Sequence, residues 1–122
     1  MRLSRVIWIL GLLLLLAAAA AWAYPNFVKT FADTYKVSKD SAIGKAACAI
    51  CHTSVSKGDK LNPYGVDLQK AMKAEKSAKL TGAILKKIES SDSDKDGAKN
   101  IHEIKGGTLP GDAKSKPAAP CH

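Results

Sequence analysis

Cys48 and Cys51 stand three residues apart, and His52 follows directly. That spacing suits one short turn of chain carrying two thiols and an imidazole on the same side. Whatever the turn holds becomes a fixed point around which the rest of the chain must fold. Two such thiols can add to the vinyl groups of a porphyrin while the next imidazole reaches the iron, which holds a haem by thioether bonds. The pair can also be a redox dithiol, although no alternation of strands and helices surrounds it. It can be half of a zinc site, although a second pair of close-spaced ligands is missing. It can close as a plain disulfide, which leaves the histidine a coincidence. Covalent haem attachment is the reading that this pattern favours, with the other three kept as alternatives.

Arg2 and Arg5 precede an uncharged apolar run over residues 6–23 that ends in Ala21-Trp22-Ala23. This is the pattern of an export signal with a cleavage point after Ala23. The same run lies at the lower length limit for spanning a bilayer, so residues 1–23 read either as a signal peptide or as an N-terminal membrane anchor. Both readings place the remainder in the periplasm or outside the cell. Without residues 1–23 the chain carries 17 lysines against 11 acids, a net charge of +6. A surface of this kind steers acidic partner proteins or an anionic membrane, with salt weakening the effect. The lysines are spread along the chain rather than clustered, which favours a scattered soluble surface over a dedicated docking face, and no interleaving of arginine and aromatic residues points to nucleic acid.

Beyond residue 23 the apolar residues recur at helical spacing. Phe27, Val28, Phe31 and Tyr35 predict an amphipathic helix over 26–37, with Asn26 as its cap after Pro25. An Ala-rich segment over 43–50 leads into the cysteine turn, and 57–60 reads as a loop. Asn62 followed by Pro63 marks a helix start, and Tyr64, Leu68, Ala71 and Met72 share one face of a segment that runs to about 76. Thr81 caps a further helix, with Ile84, Leu85 and Ile88 on its apolar stripe, ending near Ser91. A helical turn with Ile101 and Ile104 is closed by Gly106 and Gly107. No useful strand-like alternation occurs, so the expectation is an all-α domain of four to five short helices over 24–107, around one haem. An irregular tail with Pro110, Pro117 and Pro120 follows over 108–122. So small a domain has few large apolar side chains, and a buried cofactor supplies apolar surface that it lacks.

Residues 46–76 resemble a group of small bacterial monohaem c-type cytochromes in which C-x-x-C-H is followed by Leu-Asn-x-(Tyr or Phe)-Gly. The element here is Leu61-Asn62-Pro63-Tyr64-Gly65. The resemblance covers about the middle third of the chain. It implies a helical cytochrome c-like domain, haem c as cofactor and electron transfer with redox partner proteins, without substrate chemistry of its own.

A redox cytochrome usually fills the second axial position of its iron, and three residues offer themselves. Met72 lies on the apolar face with Tyr64 and Leu68, His102 closes an Asp-rich loop, and His122 ends a tail long enough to reach its own iron or a neighbour's. The order of preference is Met72, His102, His122. A methionine ligand raises the potential relative to histidine. With none of them bound, the iron is open to small ligands, and a sensor or peroxidase-like role becomes admissible.

Residues 92–103 fit the twelve-position calcium loop D-x-D-x-D-G-x5-E without a mismatch. Asp92, Asp94, Asp96, the carbonyl of Ala98, Asn100 and Glu103 occupy the ligand positions, and Gly97 the bend. With Gly107-Thr108-x-Pro110 downstream, the stretch resembles bacterial thrombospondin type-3 calcium repeats as well as single EF-hand loops. Lys99 stands where paired EF-hands place an apolar residue, which favours a structural calcium clip over a sensor. A solvated Asp-Gly turn is the competing reading. The chain ends in Cys121-His122, a third cysteine beside a third histidine. Besides a frayed terminus, these residues allow self-association, by disulfide or by donating His122 to another haem. The alternative function is therefore a calcium-stabilised, haem-containing assembly module that polymerises through its tail.

Overall fold

A computed structural model describes residues 24–53 and 60–115. Residues 1–23, with the export or anchor run, and the terminal Cys121 and His122 lie outside the described residues. Among the described residues the fold is all-α, with five helices and one 3-10 turn: α1 (Tyr24–Tyr35), α2 (Ala42–Ala46), the 3-10 turn (Ala47–Ile50), α3 (Pro63–Ala74), α4 (Gly82–Lys87) and α5 (Asn100–Gly106). An isolated antiparallel bridge between His52 and Leu61 is the extended pairing found there. No described helix is long and apolar enough to cross a membrane.

The helix starts follow local chemistry. Ser41, Asn62 and Thr81 each accept a bond from the backbone N–H three residues on, which caps α2, α3 and α4. Pro63 opens α3, where its missing N–H costs nothing. α1 begins earlier than the sequence predicts, at Tyr24, because Pro25 is tolerated in a first turn and Asn26 falls inside the helix. α3 and α4 stop at Ala74 and Lys87, short of the expected ends near 76 and 91. Gly107, in the left-handed conformation with φ 77°, terminates α5.

α4 packs against both α1 and α3, so its apolar residues form the middle of the core. Ile84 and Leu85 are buried there with Phe31 from α1, Tyr64 and Leu68 from α3, and Ile104 from α5. Phe31 meets Tyr35 and Tyr64 edge to face at centroid separations of 5.0 and 6.4 Å, the arrangement that ring quadrupoles favour. Residues 108–115 have no helix, yet their first part belongs to this body. Pro110 and Gly111 are buried, and Leu109 packs on the core. Leu85 is fully buried. Leu85→Ala is expected to lower stability by about 2–5 kcal/mol, measured as a lower denaturant midpoint with an unchanged slope.

Candidate functional site

α2 ends at Ala46, and the next residue, Ala47, has a φ of 44°, a positive value that non-glycine residues seldom adopt. The chain reverses there into the 3-10 turn. The carbonyl of Cys48 then accepts from the N–H of Cys51 at 3.2 Å and of His52 at 3.0 Å. This winding turns Cys48, Cys51 and His52 toward one cavity. Cys48 is exposed, Cys51 is half-buried, and neither is in a disulfide. Burial pushes the Cys51 thiol up to about 12, with nearby Cys48 adding to the effect. A thiol held neutral in this way is the opposite of an activated redox dithiol, whose pKa is depressed.

The turn is held from behind by Asn62. Its buried Nδ2 donates to the carbonyls of Ala49 and Ile50 at 3.2 and 3.0 Å, the two residues between the cysteines. Its Oδ1 accepts from Gly65 N–H at 2.9 Å, and its own N–H donates to Cys51 O at 2.9 Å. One side chain thereby caps α3 and braces the cysteine turn. Gly65 lets α3 lie this close, since a Cβ there would fall 2.2 Å from Cys51 O. In the sequence Asn62 is legible only as a cap; its second task depends on the return of the chain after the loop.

The cavity has a volume of about 420 Å³, within the range of small-molecule sites. Phe27, Val28 and Phe31 from α1, Leu68 and Met72 from α3, and Leu80 form much of its wall. An apolar space bounded by two thiols, an imidazole and a thioether suits the donor set and the flat apolar bulk of a haem. Of the other axial candidates, His102 is exposed on α5 and does not line the cavity, and His122 is outside the described residues.

Comparison with protein-family models, curated proteins and solved structures gives no match for this chain. Its own residues and geometry therefore carry the functional reading.

The acidic loop forms a second cluster. Asp92, Asp94 and Asp96 bring carboxylate oxygens within 4.8 Å of one another. Backbone donors hold them in that curl: Asp96 N–H bonds Asp92 and Asp94, Gly97 N–H bonds Asp92, and Ala98 N–H bonds Asp96. Lys95 and Gly97 take positive φ, 60° and 97°, to make the bend. Beside the aspartates lies Glu103, 0% exposed, with neither carboxylate oxygen bonded to a protein donor. Burial, and then the charges of Asp94, Asp96 and Asp92, push its pKa up to about 8. Burial likewise raises Asp94 to about 6, against the opposing bond from Asp96 N–H.

Asn100, expected as a loop ligand, has a different task. Its fully buried Nδ2 donates to Ile88 O at 2.7 Å and to Ser93 Oγ at 2.9 Å, while its Oδ1 accepts from Ser93 N–H at 3.2 Å. With its carboxamide turned to the protein, it ties the loop to the end of α4 and leaves the carboxylates as the charged donors. Ser93 Oγ also donates to Asp67 on α3 at 2.9 Å, a tie that the sequence pattern does not reveal.

The raised acid pKa values fix the sign of a pH effect. Without a cation Asp94 and Glu103 bind more protons in the folded chain than in the unfolded one between about pH 4 and pH 8, so their contribution to stability falls as pH rises through that window. Thermal melts in chelator should show that fall. Added calcium should remove it, and Glu103→Gln should remove most of it in chelator.

Proposed function

We propose that this chain is a monohaem c-type electron carrier that works outside the cytoplasm, with a structural calcium ion in loop 92–103. The observation that carries the reading is the convergence of Cys48, Cys51 and His52 on one apolar cavity that Met72 also lines. Cys48 and Cys51 would hold the haem through thioether bonds, and His52 would bind its iron. When bound, the haem supplies a one-electron ferric–ferrous couple.

The chain's residues set the conditions for that couple. Phe31, Leu68 and Leu80 line the cavity with apolar surface that keeps water away and lowers the local dielectric. Asn62 fixes the carbonyls on either side of the Ala49–Ile50 peptide link, so the turn that bears His52 keeps its orientation. Met72 is the preferred second axial ligand, since it reaches the same cavity as His52. Cys48 is exposed, which leaves the attachment turn at the surface where a redox partner can approach. The excess of lysine over acid favours an acidic partner. The run over residues 6–23 supports the location.

Glu103 supports the calcium reading, because a buried carboxylate without a protein donor, beside three aspartates, calls for a cation. The affinity expected of an extracellular structural site is about 10⁻⁴–10⁻³ M.

The test is maturation of the exported chain followed by mass spectrometry and visible and near-infrared spectroscopy. The expected result is one haem that remains on the chain after denaturation, with a reversible redox change in its spectrum. Cys48→Ala with Cys51→Ala should abolish attachment. A colourless chain with the mass of its amino acids alone overturns the proposal. Met72→Ala should lower the reduction potential and remove the sulfur–iron band; an unchanged spectrum moves the sixth ligand elsewhere.

A further inference from the structure

Glu103 belongs to two networks. Its carboxylate lies beside the acidic cluster, and its carbonyl accepts from Thr108 N–H at 2.9 Å and Thr108 Oγ1 at 3.2 Å. From Thr108 the chain enters a turn closed on itself. Leu109 N–H donates to Ser115 Oγ, Asp112 N–H to Leu109 O, and Ser115 N–H to Asp112 O. Gly111, buried in this turn, lies flat against the side chain of Asn62, where a Cβ would fall 2.4 Å from Oδ1 and 2.7 Å from Nδ2. Asn62 in turn holds the carbonyls of Ala49 and Ile50. Continuous contact therefore runs from the loop glutamate to the cysteine turn. A second connection runs through Ser93 Oγ to Asp67 on α3, five residues beyond Asn62 and five before Met72.

We infer that a divalent cation in loop 92–103 clamps the cysteine turn 48–52, through residues 108–111 and Asn62. The inference rests on the calcium reading of the loop. With the loop filled, attraction to the cation holds Glu103 inward. With it empty, Glu103 keeps two buried oxygens that no protein donor satisfies, and turning toward water satisfies them. α5 is only seven residues long, and Thr108 hangs from the Glu103 carbonyl, so that movement carries the 108–111 segment with it. Gly111 packs directly on the Asn62 side chain, so a shift of the segment changes the support of that side chain. Linkage makes the effect reciprocal: whatever stiffens the cysteine turn also tightens cation binding.

The experiment is amide hydrogen exchange on the matured full-length chain, in calcium and in chelator, with calorimetry of calcium chloride alone. The reporters are His52, Asn62 and Gly65, whose N–H groups bond Cys48 O, Cys51 O and Asn62 Oδ1. Calcium is expected to slow their exchange about tenfold, a coupling of ordinary size between two sites of one domain. Gly111→Ala pushes the segment off Asn62 and leaves the loop alone. It should still bind calcium, and still gain overall stability from it, but lose the slowing at the three reporters. Thr108→Val removes one bond to Glu103 without crowding Asn62, and it should weaken the slowing if Gly111→Ala does not fold. Calcium binding with no change at the reporters of the wild-type chain overturns the coupling, as does full slowing in Gly111→Ala. Absence of any calcium heat overturns the calcium reading, and the coupling with it.

Discussion

The carboxamide of Asn62 joins three stretches of chain that are distant in sequence. Its Nδ2 holds the peptide carbonyls between Cys48 and Cys51, its Oδ1 starts α3, and the backbone of Gly111 covers it. Each bond is made in a buried setting, where an amide left without partners costs about 1–3 kcal/mol. No other residue type does the same. Aspartate lacks the donor, and glutamine is one methylene too long for the cap. The helix that supplies Leu68 and Met72 and the turn that supplies the thiols are thus placed relative to each other by one side chain.

The hydrophobic body around this joint is small. α4 contributes Ile84 and Leu85, Phe31 and Tyr64 are the buried aromatics, and Ile43, Ile50, Leu68, Leu80, Ile88 and Ile104 make up the rest. Small domains with cores of this size commonly rely on a covalent cofactor, a metal or a crosslink. The two clusters described above are where the proposed additions would act. One is an apolar cavity rimmed by thiols and imidazole, the other a curl of carboxylates whose mutual repulsion a bound cation would offset.

Much of the helical framework was legible in the residues because its signals are local. Asn62-Pro63 and Thr81 announce helix starts within four residues, Gly107 announces a stop, and the 3.6-residue period of Phe27, Phe31 and Tyr35 marks an apolar face whose middle residue, Phe31, is buried. The cysteine turn and the spacing of the aspartates were legible for the same reason. What escaped depends on distant partners. Nothing periodic marks residues 108–111 as buried, because proline and glycine read as tail until Asn62 is found beneath them. Asn100 matches a ligand position in the linear pattern, yet Ile88 O, brought close by the end of α4, claims its carboxamide. Met72 ranked ahead of His102 on sequence; the packing of α3 and α5 puts the first at the cavity wall and the second in solvent.

The half-buried state of Cys51 bears on the order of events in biogenesis. A thiol kept neutral beneath a finished wall is a poor nucleophile and hard to reach. Ala47, in a conformation of limited appeal to alanine, keeps the turn wound only while the surrounding body is assembled. For the haem proposed above, this favours thioether formation on an open chain, with collapse of the helices following. Ligation then comes before closure, and a chain that closes first presents Cys51 behind a wall that it has to reopen.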